Sequence, residues 1–282
     1  MATKLTPEGI IPELNKRMPF KNNIRFLLAA SFIIALIVGI VSVVGIKYQQ
    51  NIYQTESLVN TFVPNDIINL LIGLPFMLIS LLLVLKGKLT GLLCWPGALF
   101  YFMYVYFPYI ICVPISFLTI LYLIIFSSSI YTLIGVIVNI DGNALDKQMS
   151  DTIPVKILGG ILTAMGILII IRQTVLFGNA IINDKRIVIQ ELAVLIDDFA
   201  FGSPALIICG VLLWNKKSLG YIIAPGLYLV NGILSVGLIP FMIIQSHLKN
   251  VSLDILSIGV LFIMSVICIV PFIIIRRGFI KS

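Results

Sequence analysis

Residues 70–100 read LLIGLPFMLISLLLVLKGKLTGLLCWPGALF, and residues 199–229 read FAFGSPALIICGVLLWNKKSLGYIIAPGLYL. Laid ungapped at an offset of 129, 8 of the 31 positions are identical: Gly73/Gly202, Pro75/Pro204, Ile79/Ile208, Leu83/Leu212, Lys88/Lys217, Gly91/Gly220, Pro96/Pro225 and Gly97/Gly226. Leucine and isoleucine matches are common in a chain this apolar. Matched prolines, glycines and a lysine are not, because each fixes backbone shape or membrane depth. The stretch reads as one membrane segment used twice, and the rest of the fold is read outward from it.

Hydrophobic residues make up 60% of the 282 and charged residues 11%, against about 25% charge in a soluble domain. The apolar residues run in blocks of about 20, long enough to cross roughly 30 Å of hydrocarbon. In lipid, backbone hydrogen bonds must close within each segment, which leaves helices or a closed barrel. Barrel strands alternate apolar and polar residues. These blocks are apolar all round, so the expected fold is all-α, a polytopic membrane protein. Eight spans are predicted, near 26–46, 66–85, 89–107, 115–138, 153–171, 197–214, 219–244 and 253–275.

The net charge of +7 reports topology, not nucleic-acid binding. With the N-terminus in the cytoplasm, 14 of the 19 Lys and Arg residues fall on the cytoplasmic side. Lys47, Arg172, Lys185, Arg186 and Lys249 fall opposite. The positive-inside rule then predicts a multi-pass protein of the cell membrane with both termini cytoplasmic. Basic tails beside a bilayer also touch anionic headgroups, so the lipid bilayer is the expected partner. Twenty-five mostly polar residues precede the first span, which reads as a retained helix and not a cleaved signal. Cys94, Cys112, Cys209 and Cys268 all lie in predicted spans without a CxxC and read as small packing residues.

Adding 129 to Phe26, where the first span starts, gives Val155 in the fifth. The expected organisation is a cytoplasmic tail (1–25), a four-helix repeat (26–138), a cytoplasmic linker (139–152), a second repeat (153–275) and a short cytoplasmic tail (276–282). Four is even, so the halves share one orientation and form a parallel repeat about an axis along the membrane normal. The segment RIVIQELAVLIDDF (186–199) reads either as an interfacial helix or as an outward extension of the sixth span.

Polar residues at matched depth are the candidate site. Asn69 and Asp198 are equivalent at the 129 offset, and Asp66 and Asp197 lie beside them. Counted from Leu85 and Trp214, both sit about 24 Å up their helices. A carboxylate there must be paired, protonated or facing water. Arg172, at the outer end of the fifth span, is a candidate partner. One reading is an outward-facing pocket between the halves for a small polar or cationic ligand. The other is that the acids cap helix N-termini. Pro75, Pro96, Pro204 and Pro225 are expected to kink their helices; matched breaks mark a transporter site or close helix packing. Tyr106 and Tyr109 read as an outer aromatic belt. Tyr101 and Tyr104, three apart, either line a cavity with Asn231 and Ser235 or pack with local hydroxyl bonds. Asp141, Asp146 and Asp151 lack the spacing of acid-rich diphosphate motifs and read as a solvated loop.

The single histidine, His247, leaves no donor set for haem or a His-rich metal site, and no cofactor is expected. No phosphate-cradling Gly-rich loop, GxSxG or HExxH occurs. GSPALIICGVLLWNKKSLGYIIAPGLYL (202–229) and LLCWPGALFYFMYVYFPY (92–109) resemble multi-pass membrane proteins of bacteria and archaea in which a P-x-L-L-x-G-V-L-L-W-basic-basic-x-x-G-Y pattern ends one helix and begins the next. The resemblance, over about residues 60–275, implies architecture and no activity. Three function classes stay open: a small-solute or ion permease, a non-catalytic sensor, immunity or assembly partner, and a lipid-modifying enzyme, which the acids fit least.

Overall fold

Two short turns show how this chain is assembled. In the computed structural model, which describes residues 18–147, 153–184, 186–249 and 251–280, the helix ending at Leu85 stops with Gly87 at φ 66°, and the helix ending at Trp214 stops with Lys216 at φ 53°. In the first turn the Lys88 N–H donates to Leu83 O at 2.9 Å and Gly87 N–H to Val84 O at 2.8 Å. In the second, Lys217 N–H donates to Leu212 O at 2.9 Å and Lys216 N–H to Leu213 O at 3.0 Å. Both are the paired-bond stop that uses a left-handed residue to satisfy orphan carbonyls, and every partner differs by 129. Gly91 and Gly220 follow at the same spacing, each against the backbone of the preceding helix, Val84 and Leu213, where a Cβ would collide.

The described residues are helical, with one isolated antiparallel bridge between Phe20 and Ile140. The elements are α1 (Arg25–Lys47), α2 (Gln49–Tyr53), α3 (Glu56–Ile68), a π-turn (Asn69–Gly73), α4 (Leu74–Leu85), α5 (Leu89–Cys112), α6 (Phe117–Asn139), α7 (Gly142–Lys147), α8 (Val155–Ile182), α9 (Ile189–Asp197), a second π-turn (Asp198–Gly202), α10 (Ser203–Trp214), α11 (Ser218–Lys249) and α12 (Ile255–Ile280). Among the described residues, counting Glu56–Leu85 and Ile189–Trp214 as continuous, eight helices are long and apolar enough to cross a membrane. This is the make-up of a multi-pass membrane protein. The first 17 residues, linker residues 148–152 with Asp151, Lys185, Asn250 and the last two residues lie outside the described residues, as does the side chain of Asp146.

Several span limits move. The second and sixth spans begin ten and eight residues before the expected 66 and 197, because α3 and α9 continue them away from the basic turns. The segment after Arg186 is therefore an extension of the sixth span, not a separate interfacial helix. The fifth runs to Ile182, well past 171. Helix α5 passes through Pro96 and Pro108 and α11 through Pro225 and Pro240, unbroken as α-helix. Part of the expected linker is ordered as α7, which packs on α11.

The buried residues form one core around α5, which packs against α4, α6, α9 and α11. Apolar residues such as Leu36, Leu168, Ile182 and Phe262 are exposed on the rim, the inversion expected where lipid is the solvent. Helices α5 and α11 cross where Gly97 meets Gly226: a Cβ on Gly97 would stand 2.5 Å from Gly226 O, and one on Gly226 2.8 Å from Gly97 N. Small residues here let two backbones touch. Beyond this crossing, α3 packs on α11 and α9 on α5. Gln245 Nε2 donates to Asn60 O at 3.1 Å and Cys112 Sγ approaches Ile189 O at 3.6 Å; Asn60 and Ile189 are again 129 apart. At the far ends, Gln190 Nε2 donates to Ser57 Oγ at 3.0 Å.

Candidate functional site

Pro75 and Pro204 lack an N–H and would clash with the carbonyl four residues back in a regular helix. Each is preceded by one turn of π-helix. Leu74 N–H bonds to Asn69 O, and Ser203 N–H bonds to Asp198 O. Such turns widen a helix and recur at functional sites. The first residue of each π-turn is polar and buried, Asn69 at 0% exposure and Asp198 at 7%. The last is glycine.

One helix serves both turns. From α5, the Tyr101 hydroxyl donates to Asn69 Oδ1 at 3.1 Å, and its ring lies over Gly73. The Tyr104 hydroxyl donates to Asp198 Oδ1 at 2.7 Å, and its ring lies 3.5 Å from where a Cβ on Gly202 would stand. Helix α11 has Val230 and Ile233 at the positions matching Tyr101 and Tyr104, so it offers neither turn a hydroxyl. Gln173 of α8 completes Asp198 by donating to Oδ2. Asp197 and Ser203 flank the second turn. Both are fully buried, and neither carboxylate oxygen nor the hydroxyl has a hydrogen-bond partner. Asn69 Nδ2 is likewise unpartnered.

Asp66 belongs to a different group. Its Oδ1 accepts from the Tyr109 hydroxyl at 3.0 Å and its Oδ2 from the Tyr53 hydroxyl. Tyr106 and Ser42 hydroxyls bond at 3.3 Å beside it. The rings of Tyr106, Tyr109 and Tyr122 stack or tilt on one another with centroids 5.0–5.9 Å apart. Every donor to Asp66 comes from residues before 113, while Asp198 is held from both α5 and α8.

Four expectations change. The acids do not cap helices: α3 starts at Glu56 behind a Thr55 cap, α9 starts at Ile189, and the acids stand near the middle of continuous helices. Tyr106 and Tyr109 are fully buried and form no belt, because their hydroxyls bond Ser42 and Asp66. Arg172 is exposed and bonds neither Asp197 nor Asp198. Asn231 donates to Leu227 O of its own helix at 2.8 Å, and Ser235 to Asn231 O, so neither pairs with Tyr101 or Tyr104. Two shallow cavities, of about 460 Å³ beside Gly160 and Trp214 and about 510 Å³ beside Ser246 and His247, lie away from the acids.

Sequence reasoning missed Gln173 because the fifth span was expected to end at 171, which placed the amide in a loop. Tyr53 was assigned to a loop for the same reason. Among the described residues no group of three His, Cys, Asp or Glu is set to hold a metal. The hydroxyls, amide and carboxylates around the second π-turn are oxygen-rich and negative, a set that attracts a hard cation. No protein-family model, curated protein or solved structure matches the chain.

Proposed function

We propose that this chain is a carrier of the cell membrane for a small polar or cationic solute, with its site between two co-oriented four-helix repeats near the outer surface. The observation that carries the reading is the pair of π-turns at Asn69–Gly73 and Asp198–Gly202, each opened by a buried polar residue held by a tyrosine of α5. Transporters bind solute where helices are interrupted at matching places in two halves, and the π-turns are the matching irregularities of these continuous helices. The repeat reading draws support from the matched stops at Gly87 and Lys216 and from the self-contact of Gly97 with Gly226. Equivalent residues touch where a two-fold axis passes. The excess of Lys and Arg at the turns 86–88 and 215–217 supports cytoplasmic termini.

A second reading, a sensor or assembly partner that moves nothing, draws on the tyrosines that close over Asp66 and Asp198. Flux separates the two. Full-length protein in vesicles carrying an interior dye for Na⁺, K⁺ or pH should dissipate at least one imposed gradient, at a rate cut tenfold or more by Asp198→Asn. Vesicles as tight as protein-free ones to those ions and to tetramethylammonium would reject the carrier.

A further inference from the structure

We propose that Asp197 binds a small monovalent cation beside the second π-turn, with the buried Ser203 hydroxyl tested separately as a further ligand. The inference rests on the carrier reading and names the ligand class of that site.

Asp197 is fully buried in the outer half of its helix, and neither of its oxygens accepts a hydrogen bond. Ser203, one residue beyond the turn, is fully buried and its hydroxyl is unpartnered too. Asp198, between them in sequence, has a donor on each oxygen. A bare carboxylate away from water costs several kcal/mol unless positive charge compensates it. The compensation the protein supplies is distant: Arg172 on α8 is exposed and bonds neither acid, though its charge reaches Tyr104, and the titratable groups beside Asp197 are Asp198 and Tyr104 of α5.

The fold does not require this polar pair. The first π-turn is flanked at the matching positions by Ile68 and Leu74, and it closes in the same way. Asp197 and Ser203 are thus an addition to a scaffold that forms without them. The donor set is oxygen alone, which suits a hard cation over a transition metal. Asp197 is the carboxylate without a donor, and a monovalent ion matches its single charge, while the charge of Asp198 is met by its two hydrogen-bond donors. A π-turn also removes carbonyls from the regular ladder, the backbone feature that coordinates Na⁺ or H⁺ in broken membrane helices.

The test is binding, independent of flux. Thermal unfolding of the purified full-length protein is compared in LiCl, NaCl, KCl and choline chloride at one pH and ionic strength, and in choline chloride across pH. The variants are Asp197→Asn, Ser203→Ala and Asp197→Ile, the last copying the residue the first half tolerates. An alkali chloride that raises the midpoint of the wild type above choline, with the rise abolished in both Asp197 variants and its half-saturating concentration raised about tenfold in Ser203→Ala, establishes an alkali-metal site. No alkali effect, with a wild type that loses stability relative to Asp197→Asn as pH rises, marks an acid merely protonated by burial and overturns the proposal. Equal responses of wild type and Asp197→Asn in every salt and at every pH overturn it as well. Binding without flux in the vesicle assay keeps this site and removes the carrier reading; flux without binding does the reverse.

Discussion

The Tyr104 hydroxyl donates to Asp198 Oδ1 across 2.7 Å, joining residues 94 apart in the chain. Tyr101, one helical turn earlier, reaches the equivalent atom set at Asn69. Removing the Tyr104 hydroxyl strips a buried carboxylate of one of its two donors. Interhelical hydrogen bonds in membranes average about 0.6 kcal/mol and reach about 1.7, and a bare buried acceptor sits at the upper end. Tyr104→Phe should therefore lower stability by about 1–2 kcal/mol in reversible unfolding from detergent micelles. A change below a few tenths would mean that Asp198 finds another donor.

Tyr53 and Asp66 tie the short α2 to the helix interior. Their coupling is measurable by a double-mutant cycle of Tyr53→Phe and Asp66→Asn, with an expected interaction of about 1 kcal/mol. Gly45→Ala should act on the same bond, since a Cβ there would overlap Asp66 Oδ2. Additive single mutants would show that the two side chains do not depend on each other.

Lys216 holds φ 53° where the matching turn has Gly87. An L side chain in that region is strained by about 1 kcal/mol. Lys216→Gly should raise stability by about 0.5–1 kcal/mol, and Gly87→Ala should lower it by a similar amount. Opposite signs at two sites with one backbone geometry isolate the strain from any effect of charge.

Ser57 and Gln190 meet at the far ends of the two helices that carry the π-turns. Ser57→Cys with Gln190→Cys should cross-link under mild oxidation, detected as a mobility shift reversed by reductant. If the carrier opens there, the linked form loses its flux and regains it on reduction. Cross-linking with full flux would place the moving part elsewhere.

Asp254 accepts from the Ser257 hydroxyl at 2.5 Å and from its N–H at 3.2 Å, at the start of α12. These bonds, the hydroxyl's first, hold its carboxyl below the ordinary carboxylate range. A depressed folded value stabilises above the unfolded value and loses that stability as pH falls through the folded one. Hydrogen exchange at residues 255–258 should therefore speed up in Asp254→Ala at neutral pH. In the wild type, protection relative to that variant should vanish only in acid.

Much of the architecture was legible because lipid leaves the chain few choices. Blocks of apolar residues near Phe26, Leu89 and Val155 had to be helices, and they are. Of the matched prolines expected to kink their helices, Pro75 and Pro204 stand two residues past the ends of π-turns, while Pro96 and Pro225 lie in unbroken α-helix. The reach of α3 and α9 was not legible, since ESLVN and IQELA carry the polarity of a loop, while in the fold Asn60 is buried and Gln190 bonds Ser57. Asp66 and Asp198 were found by depth alone. Their partners were not, because Tyr53, Tyr104 and Gln173 come from three other helices, and a hydrogen bond across helices leaves no spacing in the sequence.

The two central helices touch backbone to backbone at Gly97 and Gly226, while beyond that point a side chain reaching a backbone carbonyl connects α3 with α11 and α9 with α5. Helices of 28 and 32 residues, α8 and α11, are about 42 and 48 Å long, well beyond roughly 30 Å of hydrocarbon. Such lengths are accommodated by tilt, and tilt displaces one end of a helix against its neighbours. The glycine crossing cannot give, so the displacement falls on the opposite ends. In a thinner bilayer a greater tilt of α8 and α11 is the expected accommodation, and it would be felt most at the ends far from the glycine crossing.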